Sequence, residues 1–194
     1  MALEHPGQSV LQECWCSAPA LAHLDLGGNH IGDAGTKSLV GVLGQCSTLA
    51  HLNLCWNGIT TGGTQNLAGV LGQCASLTHL VLYGNDIGAV GAKSFAGVLT
   101  QCRALSHLNL NGNRIGAAGA KSLLGVLGQC PALSHLDLSQ HEINPDGRER
   151  LAGVLAQCTA LTHLNLGFNG LWMEAARVER LRASWCGQVS GLLL

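Results

Sequence analysis

The chain has few of the side chains that usually betray a chemical task. Asp, Glu, Lys and Arg make up 11% of its 194 residues, and Phe, Trp and Tyr 4%. Ten basic residues stand against eleven acidic ones, a formal net charge of −1, so no basic excess argues for nucleic acid. No acidic tail is present either. Glycine is abundant at 27 residues but does not recur at every third position, which excludes collagen, and the aliphatic content excludes disorder. No apolar stretch approaches a membrane span, and MALEHPGQSVLQECW lacks the apolar run of a signal peptide. Asn-x-Ser/Thr is also missing. With nine thiols and no leader, a reducing cytoplasmic compartment is expected.

What the chain does have is a period. Cys46, Cys74, Cys102, Cys130, Cys158 and Cys186 follow one another every 28 residues, a comb that marks a repeat more than a disulfide framework. Units starting at Leu21, Leu49, Leu77, Leu105, Leu133 and Leu161 each open with Leu-x-His-Leu-x-Leu. An asparagine usually follows, at Asn29, Asn57, Asn85, Asn113 and Asn169, then Ile or Leu two residues on. A glycine-punctuated turn, a helical stretch such as AKSLLGVL and a Gln-Cys pair complete the unit.

Each half-unit has one apolar side. Leu24 and Leu26 alternate with Asp25, as in a short strand, and Leu39, Val42 and Leu43 fall at helical spacing. Neither half buries its leucines alone; stacked units align the strands in a parallel sheet beneath an outer layer of helices. The asparagine amide is placed to satisfy backbone groups that the turn leaves open. Gly35, Gly63, Gly91, Gly119 and Gly147 share one position, which suggests a tight start to each helix.

The motif L-x-x-L-x-L-x-x-N-x-I/L resembles the leucine-rich-repeat family, in the long-repeat subtype of ribonuclease inhibitor. Its near-uniform asparagine is similar to the repeat regions of NOD-like receptors and the Ran GTPase-activating protein, whereas ribonuclease inhibitor alternates Asn and Cys. His141 departs from the pattern where Asn is expected. The resemblance implies an α/β right-handed solenoid, strands on the concave face and helices on the convex one, that binds proteins by its concave face. Residues 1–20 read as a partial helical unit or cap, 21–188 as six repeats with the last degenerate and capping, and 189–194 as a tail. Glu174 and Arg177 mark the charged face of that cap. The apolar Gly191-Leu192-Leu193-Leu194 either folds back over the last strand or continues a longer array.

The histidine row His23, His51, His79, His107, His135 and His163 projects from the concave side at strand spacing of roughly 4.8 Å. It fits a metal site, a pH-sensitive strip, or a plain stack carried along with the duplicated unit. A straight line suits zinc's tetrahedron poorly, so no metal is assigned. Mutual repulsion predicts lowered histidine pKa values and weaker folding below neutrality.

Just beyond the strands the residues vary, and scarce aromatics collect there: Trp56, Tyr83 and Phe168. Such side chains on a rigid frame are typical interface anchors. With His51, His79, His107, Asn53 and Asn109 on the same face, they form the candidate partner site. Phe95 stands at a core position. Lys37, Lys93 and Lys121 each precede Ser, but Gly and Lys are not adjacent, so no phosphate loop is expected, and Gln65 and Glu149 interrupt any basic stripe. The repeat cysteines read as small packing side chains at the helix exit, and Cys14-x-Cys16 has the wrong spacing for zinc. Cys55 is expected to face the concave side and to be reactive.

His-Glu-x-x-His and Gly-x-Ser-x-Gly are absent, and Asp25 and Asp137 lie four units apart. The expectation is a non-enzymatic module, needing no cofactor, that binds a protein on its concave face, as a monomer or a subunit of a hetero-assembly. Neither nucleic acid nor membrane is expected as a partner. A GTPase-activating role of the Ran-activator type is the alternative from another class. A structural subunit whose terminal leucines a neighbour buries is the third.

Overall fold

The computed structural model describes residues 21–143, 155, 158–169, 179, 182–183, 185 and 191–193. The elements alternate strictly at first. They are β1 (His23–Asp25), α1 (Gly32–Leu43), β2 (His51–Asn53), α2 (Thr61–Leu71), β3 (His79–Val81), α3 (Gly88–Leu99), β4 (His107–Asn109) and α4 (Gly116–Leu124). A 3-10 turn (Leu127–Gln129), β5 (His135–Asp137), β6 (His163–Asn165) and β7 (Leu192–Leu193) follow. All seven strands are parallel, in chain order, and each residue pairs with the one 28 positions on, as in His79 with His107 and Leu80 with Leu108. This is the expected α/β leucine-rich solenoid: an open sheet on one side and helices packed in sequence on the other.

The leucines lie between the layers. Leu52, Leu80, Leu108, Leu136 and Leu164, the central residues of their strands, are buried, as are Leu43, Leu71, Leu99 and Phe95 from the helices. At about 25 cal/mol for each Å² of apolar surface removed from water, this shared seam is what favours stacking. It belongs to neighbouring units jointly, so no unit closes its own core.

The asparagine ladder joins the units by hydrogen bonds. Asn85 Oδ1 accepts from the backbone N–H groups of Asn57 and Ile59, each at 3.0 Å. Its Nδ2 donates to the Leu54 carbonyl at 3.0 Å and the Leu82 carbonyl at 2.8 Å. One carboxamide thus satisfies turn groups from two consecutive units, in a place closed to water.

One expectation is corrected, and one of two alternatives for the tail is set aside. The tight starts of α1, α3 and α4 are made by Gly32, Gly88 and Gly116, all at positive φ, and not by Gly35, Gly91 and Gly119. Those three lack a side chain for a different reason: a Cβ on any of them would collide with Cγ2 of the isoleucine four residues earlier, and at Gly119 it would also crowd α3. Gly147 lies outside the described residues, as do the N-terminal unit 1–20, Glu149, Glu174, Arg177, Cys14, Cys16, Cys186 and Leu194. The apolar end does not fold over the sheet. Leu192 pairs with Leu164 and Leu193 with Asn165, one repeat period apart, so this segment extends the sheet as a seventh strand.

Candidate partner-binding site

The first and third residues of each three-residue strand face the concave surface, and the leucine between them faces the core. The first position carries the histidines. From His23 to His163, neighbouring imidazole centroids lie 4.1 Å apart with planes within 15° of parallel. Burial, and after it the positive charge of neighbouring rings, pushes the pKa values of His79 and His107 below the ordinary 6.5. His135 is lowered too, by burial and then by His163. The expected direction therefore holds for these three, but loss of water outweighs repulsion as its cause. Among the described residues no group of three or more His, Cys, Asp or Glu is arranged to hold a metal ion.

The third position forms a polar row with one interruption. Asn53 Nδ2 donates to Asp25 Oδ1 at 2.9 Å, and Asn165 Nδ2 donates to Asp137 Oδ2 at 3.0 Å. Val81 breaks the row. Asn109 Oδ1 accepts from the Asn111 N–H at 3.0 Å, but with Val81 as its upstream neighbour its amide N–H groups have no acceptor among the described residues. The centre of the face is therefore an apolar spot beside an open donor.

Next to this spot stand the aromatics. Trp56 and Tyr83 meet edge to face, with ring centroids 5.8 Å apart. The Trp56 indole lies over Gly84, where a Cβ would be 2.6 Å from the ring. Trp56 is 60% exposed and Phe168 84% exposed. Both have positive φ, 52° and 55°, in a column that Gly28, Gly84, Gly112 and Gln140 occupy elsewhere, Gln140 also at a positive φ of 60°. A bulky side chain in the left-handed region is uncommon and costs stability. Trp56 meets Tyr83, while His51 and His79 line one concave pocket with Asn53, and His79 and His107 line another with Asn109; Phe168 stands four units from Trp56.

The family profile described as "Leucine Rich repeat" matches residues 19–40, 45–68, 73–96, 101–124, 129–152 and 157–171, together more than half of the chain. The chain belongs to the leucine-rich-repeat family. No curated protein matches it significantly in sequence. Among solved structures, it is similar to the leiomodin-1 actin-binding site 2 at TM-score 0.63 and 14% identity, covering 93% of this chain and 88% of that one. The Caenorhabditis elegans tropomodulin C-terminal domain gives 0.63 at 11% identity, covering 78% and 92%. The leucine-rich-repeat protein LegL7 of Legionella pneumophila gives 0.63 at 24% identity, covering 91% of this chain and 57% of that one. At these identities the likeness is one of fold.

Within this leucine-rich-repeat frame the remaining candidates fall into place. Cys55 is buried at 7% exposure beneath Gly27, which corrects the expectation of an accessible, reactive thiol. Cys74, Cys102 and Cys130 are buried as well, and burial raises their pKa values, that of Cys102 to about 11. Lys37, Lys93 and Lys121 are exposed on the helices, and the serines after them bond back to carbonyls four residues earlier, at 3.4, 3.2 and 3.1 Å. No helix among the described residues is long and apolar enough to cross a membrane.

Three features escaped the sequence reading. Val81 was visible as LTHLVL among LxHLNL and LxHLDL strands. The left-handed backbone at Trp56 and Phe168 was signalled by glycines in the same column. The third is the hydroxyl before four of the histidines, at Thr78, Ser106, Ser134 and Thr162, which bonds the neighbouring Nδ1 at 2.8–2.9 Å.

Proposed function

We propose that the chain is a non-enzymatic recognition module that binds a protein partner across its concave face, with Trp56 and Tyr83 as the anchor. The observation that carries this reading is Trp56 itself. An exposed indole in a left-handed conformation, seated on Gly84 against Tyr83, sits where three other units use glycine. Backbone strain at an exposed aromatic is the kind of cost that recognition offsets. His51, His79, His107, Asn53 and Asn109 line the face beside the anchor, and Val81 continues its apolar surface. Phe168 would contact a partner long enough to span the sheet.

The helical 28-residue unit supports the ribonuclease-inhibitor-like subtype, and the asparagine found in all units but that of His141 supports repeats like those of NOD-like receptors and the Ran activator. Buried thiols of raised pKa suit a reducing, cytoplasmic setting. One structural neighbour carries an actin-binding name, and that likeness supports protein binding in general without assigning actin.

The test compares the wild type with a folded Trp56→Ala/Tyr83→Ala variant as bait, followed by hydrogen exchange on the captured complex. A partner lost by the variant, with protection confined to β2–β4 in the wild-type complex, is the expected result. Identical captures by both baits, or protection on the helices, would overturn the reading.

A further inference from the structure

The hydroxyls that precede four of the histidines each lie within hydrogen-bond distance of both a carbonyl and a ring nitrogen. Thr78 Oγ1 donates to the Ala50 carbonyl at 3.0 Å and lies 2.9 Å from His79 Nδ1. Ser106 reaches the Thr78 carbonyl at 3.1 Å and His107 Nδ1 at 2.8 Å. Ser134 and Thr162 repeat the arrangement, with carbonyls at 3.2 and 3.1 Å and the His135 and His163 Nδ1 atoms at 2.8 and 2.9 Å. A hydroxyl has one hydrogen. If it goes to the carbonyl, the ring must donate Nδ1–H to the hydroxyl oxygen, and both short contacts then hold a hydrogen. The reverse assignment leaves two oxygens 3.0–3.2 Å apart with no hydrogen between them, although each carbonyl also accepts two backbone N–H groups. With the hydroxyls donating to the carbonyls, the neutral rings of His79, His107, His135 and His163 carry hydrogen on Nδ1 and leave Nε2 as an acceptor.

These four histidines, and not His23 or His51, which follow alanines, line one pocket of about 310 Å³. Asp137, Asn109, Val81 and Leu193 complete its chemistry. Asp137 Oδ1 takes two donors from Ser139, but Oδ2 accepts from Asn165 alone and keeps a lone pair. The pocket thus combines imidazole acceptors and one carboxylate with apolar sides and the open amide donor of Asn109. The concave strand positions carry Asp25 and Asp137 and neither Lys nor Arg.

Resting on the partner-binding reading above, we propose that this pocket receives an arginine side chain of the protein partner, its guanidinium donating to the Nε2 atoms of the adjacent His107 and His135 and to Asp137 Oδ2. Charge complementarity favours a cation over an anion or a neutral chain. The spacing favours arginine over lysine, because a planar fork with five donors can serve several acceptors arrayed 4.1 Å apart, whereas an ammonium is a point charge.

The test uses the full chain and long-range ¹⁵N–¹H spectra of its imidazoles, titrated with an acetylated, amidated Gly-Arg-Gly peptide and with its citrulline and lysine counterparts. The expected result is the Nδ1–H tautomer at His79, His107, His135 and His163, and saturable shifts of their Nε2 resonances larger than any at His23. The citrulline peptide should bind at least about tenfold more weakly, since it keeps the shape and loses the charge. His107→Phe, which keeps a stacking ring but no lone pair, and Asp137→Asn should each weaken binding without loss of the folded spectrum. An Nε2–H tautomer, the absence of saturable shifts, or equal binding of citrulline or lysine would overturn the proposal. Any of these, alongside a partner still captured through Trp56 and Tyr83, would leave the broader reading intact.

Discussion

Asn113 donates its backbone N–H to Nδ1 of His141 at 3.2 Å, on the rung where an imidazole replaces the carboxamide of the ladder. Because Nδ1 accepts there, the hydrogen of the neutral ring lies on Nε2, which is buried and makes no well-formed hydrogen bond, the Leu110 carbonyl acting on the ring only weakly. An asparagine in this place does more. Asn113 donates to the Leu82 and Leu110 carbonyls at 2.9 and 2.8 Å, and Asn169 to the Leu138 and Leu166 carbonyls at 2.8 Å. His141→Asn should therefore stabilise the fold by about 1–3 kcal/mol, the usual cost of a buried unsatisfied donor. A urea denaturation midpoint that stays put or falls would mean that the surrounding packing has adapted to the ring.

The same histidine governs acid stability. Burial lowers its pKa from 6.5 to about 4, against smaller opposing effects of Asp137 and the Leu110 carbonyl. A base with a lowered folded-state pKa is protonated first in the unfolded chain. Its stabilising effect is complete above pH 6.5 and is lost as the pH falls toward 4. The full loss corresponds to about 3 kcal/mol. His79, His107 and His135 act in the same direction. Urea midpoints measured from pH 8 to pH 4 should fall steadily for the wild type, and His141→Asn should remove a large part of that slope. Parallel curves for the two proteins would exclude His141 as the sensor.

Much of this architecture was legible because the period is strict: a 28-residue repeat of leucine, histidine and asparagine dictates strand, turn and helix together. The asparagine's role followed from its place at a turn. What sequence could not weigh was the environment within the repeat. Cys55 alternates correctly for an exposed position yet is covered by its neighbours, since Gly27 leaves room for its sulfur. Gly35 and Gly32 both read as turn residues, and φ together with the isoleucine contact separates their tasks. The tail stayed open between two readings because Gly191 stands where the repeat has histidine, although Leu192 lies 28 residues after Leu164.

Burial also sets the chemistry of the thiol comb. Cys74, Cys102 and Cys130 lie under the helix exits, and Cys102 is shifted by burial, then by Cys74 and Cys130, to about 11. The thiolate is the nucleophile, and at pH 7.5 such a group holds on the order of one part in a few thousand as thiolate. Iodoacetamide at pH 7.5 should leave these three unlabelled in the folded chain and label them fully in denaturant. Rapid labelling of Cys102 in the native state would show local opening of the α3–α4 side.

Trp56 is where stability and recognition should part company. Its left-handed backbone costs roughly 1–3 kcal/mol relative to glycine, by the usual scale for such positions. The edge contact with Tyr83 returns about 0.5–1.5 kcal/mol. Trp56→Gly, which restores the residue found at Gly28, Gly84 and Gly112, should thus leave stability unchanged or raise it by about 1 kcal/mol. Partner affinity should nevertheless drop by about 2 kcal/mol or more, the scale of an interface anchor. Gly84→Ala offers the converse experiment: the indole loses its seat while Trp56 remains, so binding should weaken even though no aromatic is removed. Thermal melts paired with partner titrations would decide it. A Trp56→Gly protein that is both less stable and fully competent to bind would make the indole a structural side chain and move the binding site elsewhere on the solenoid.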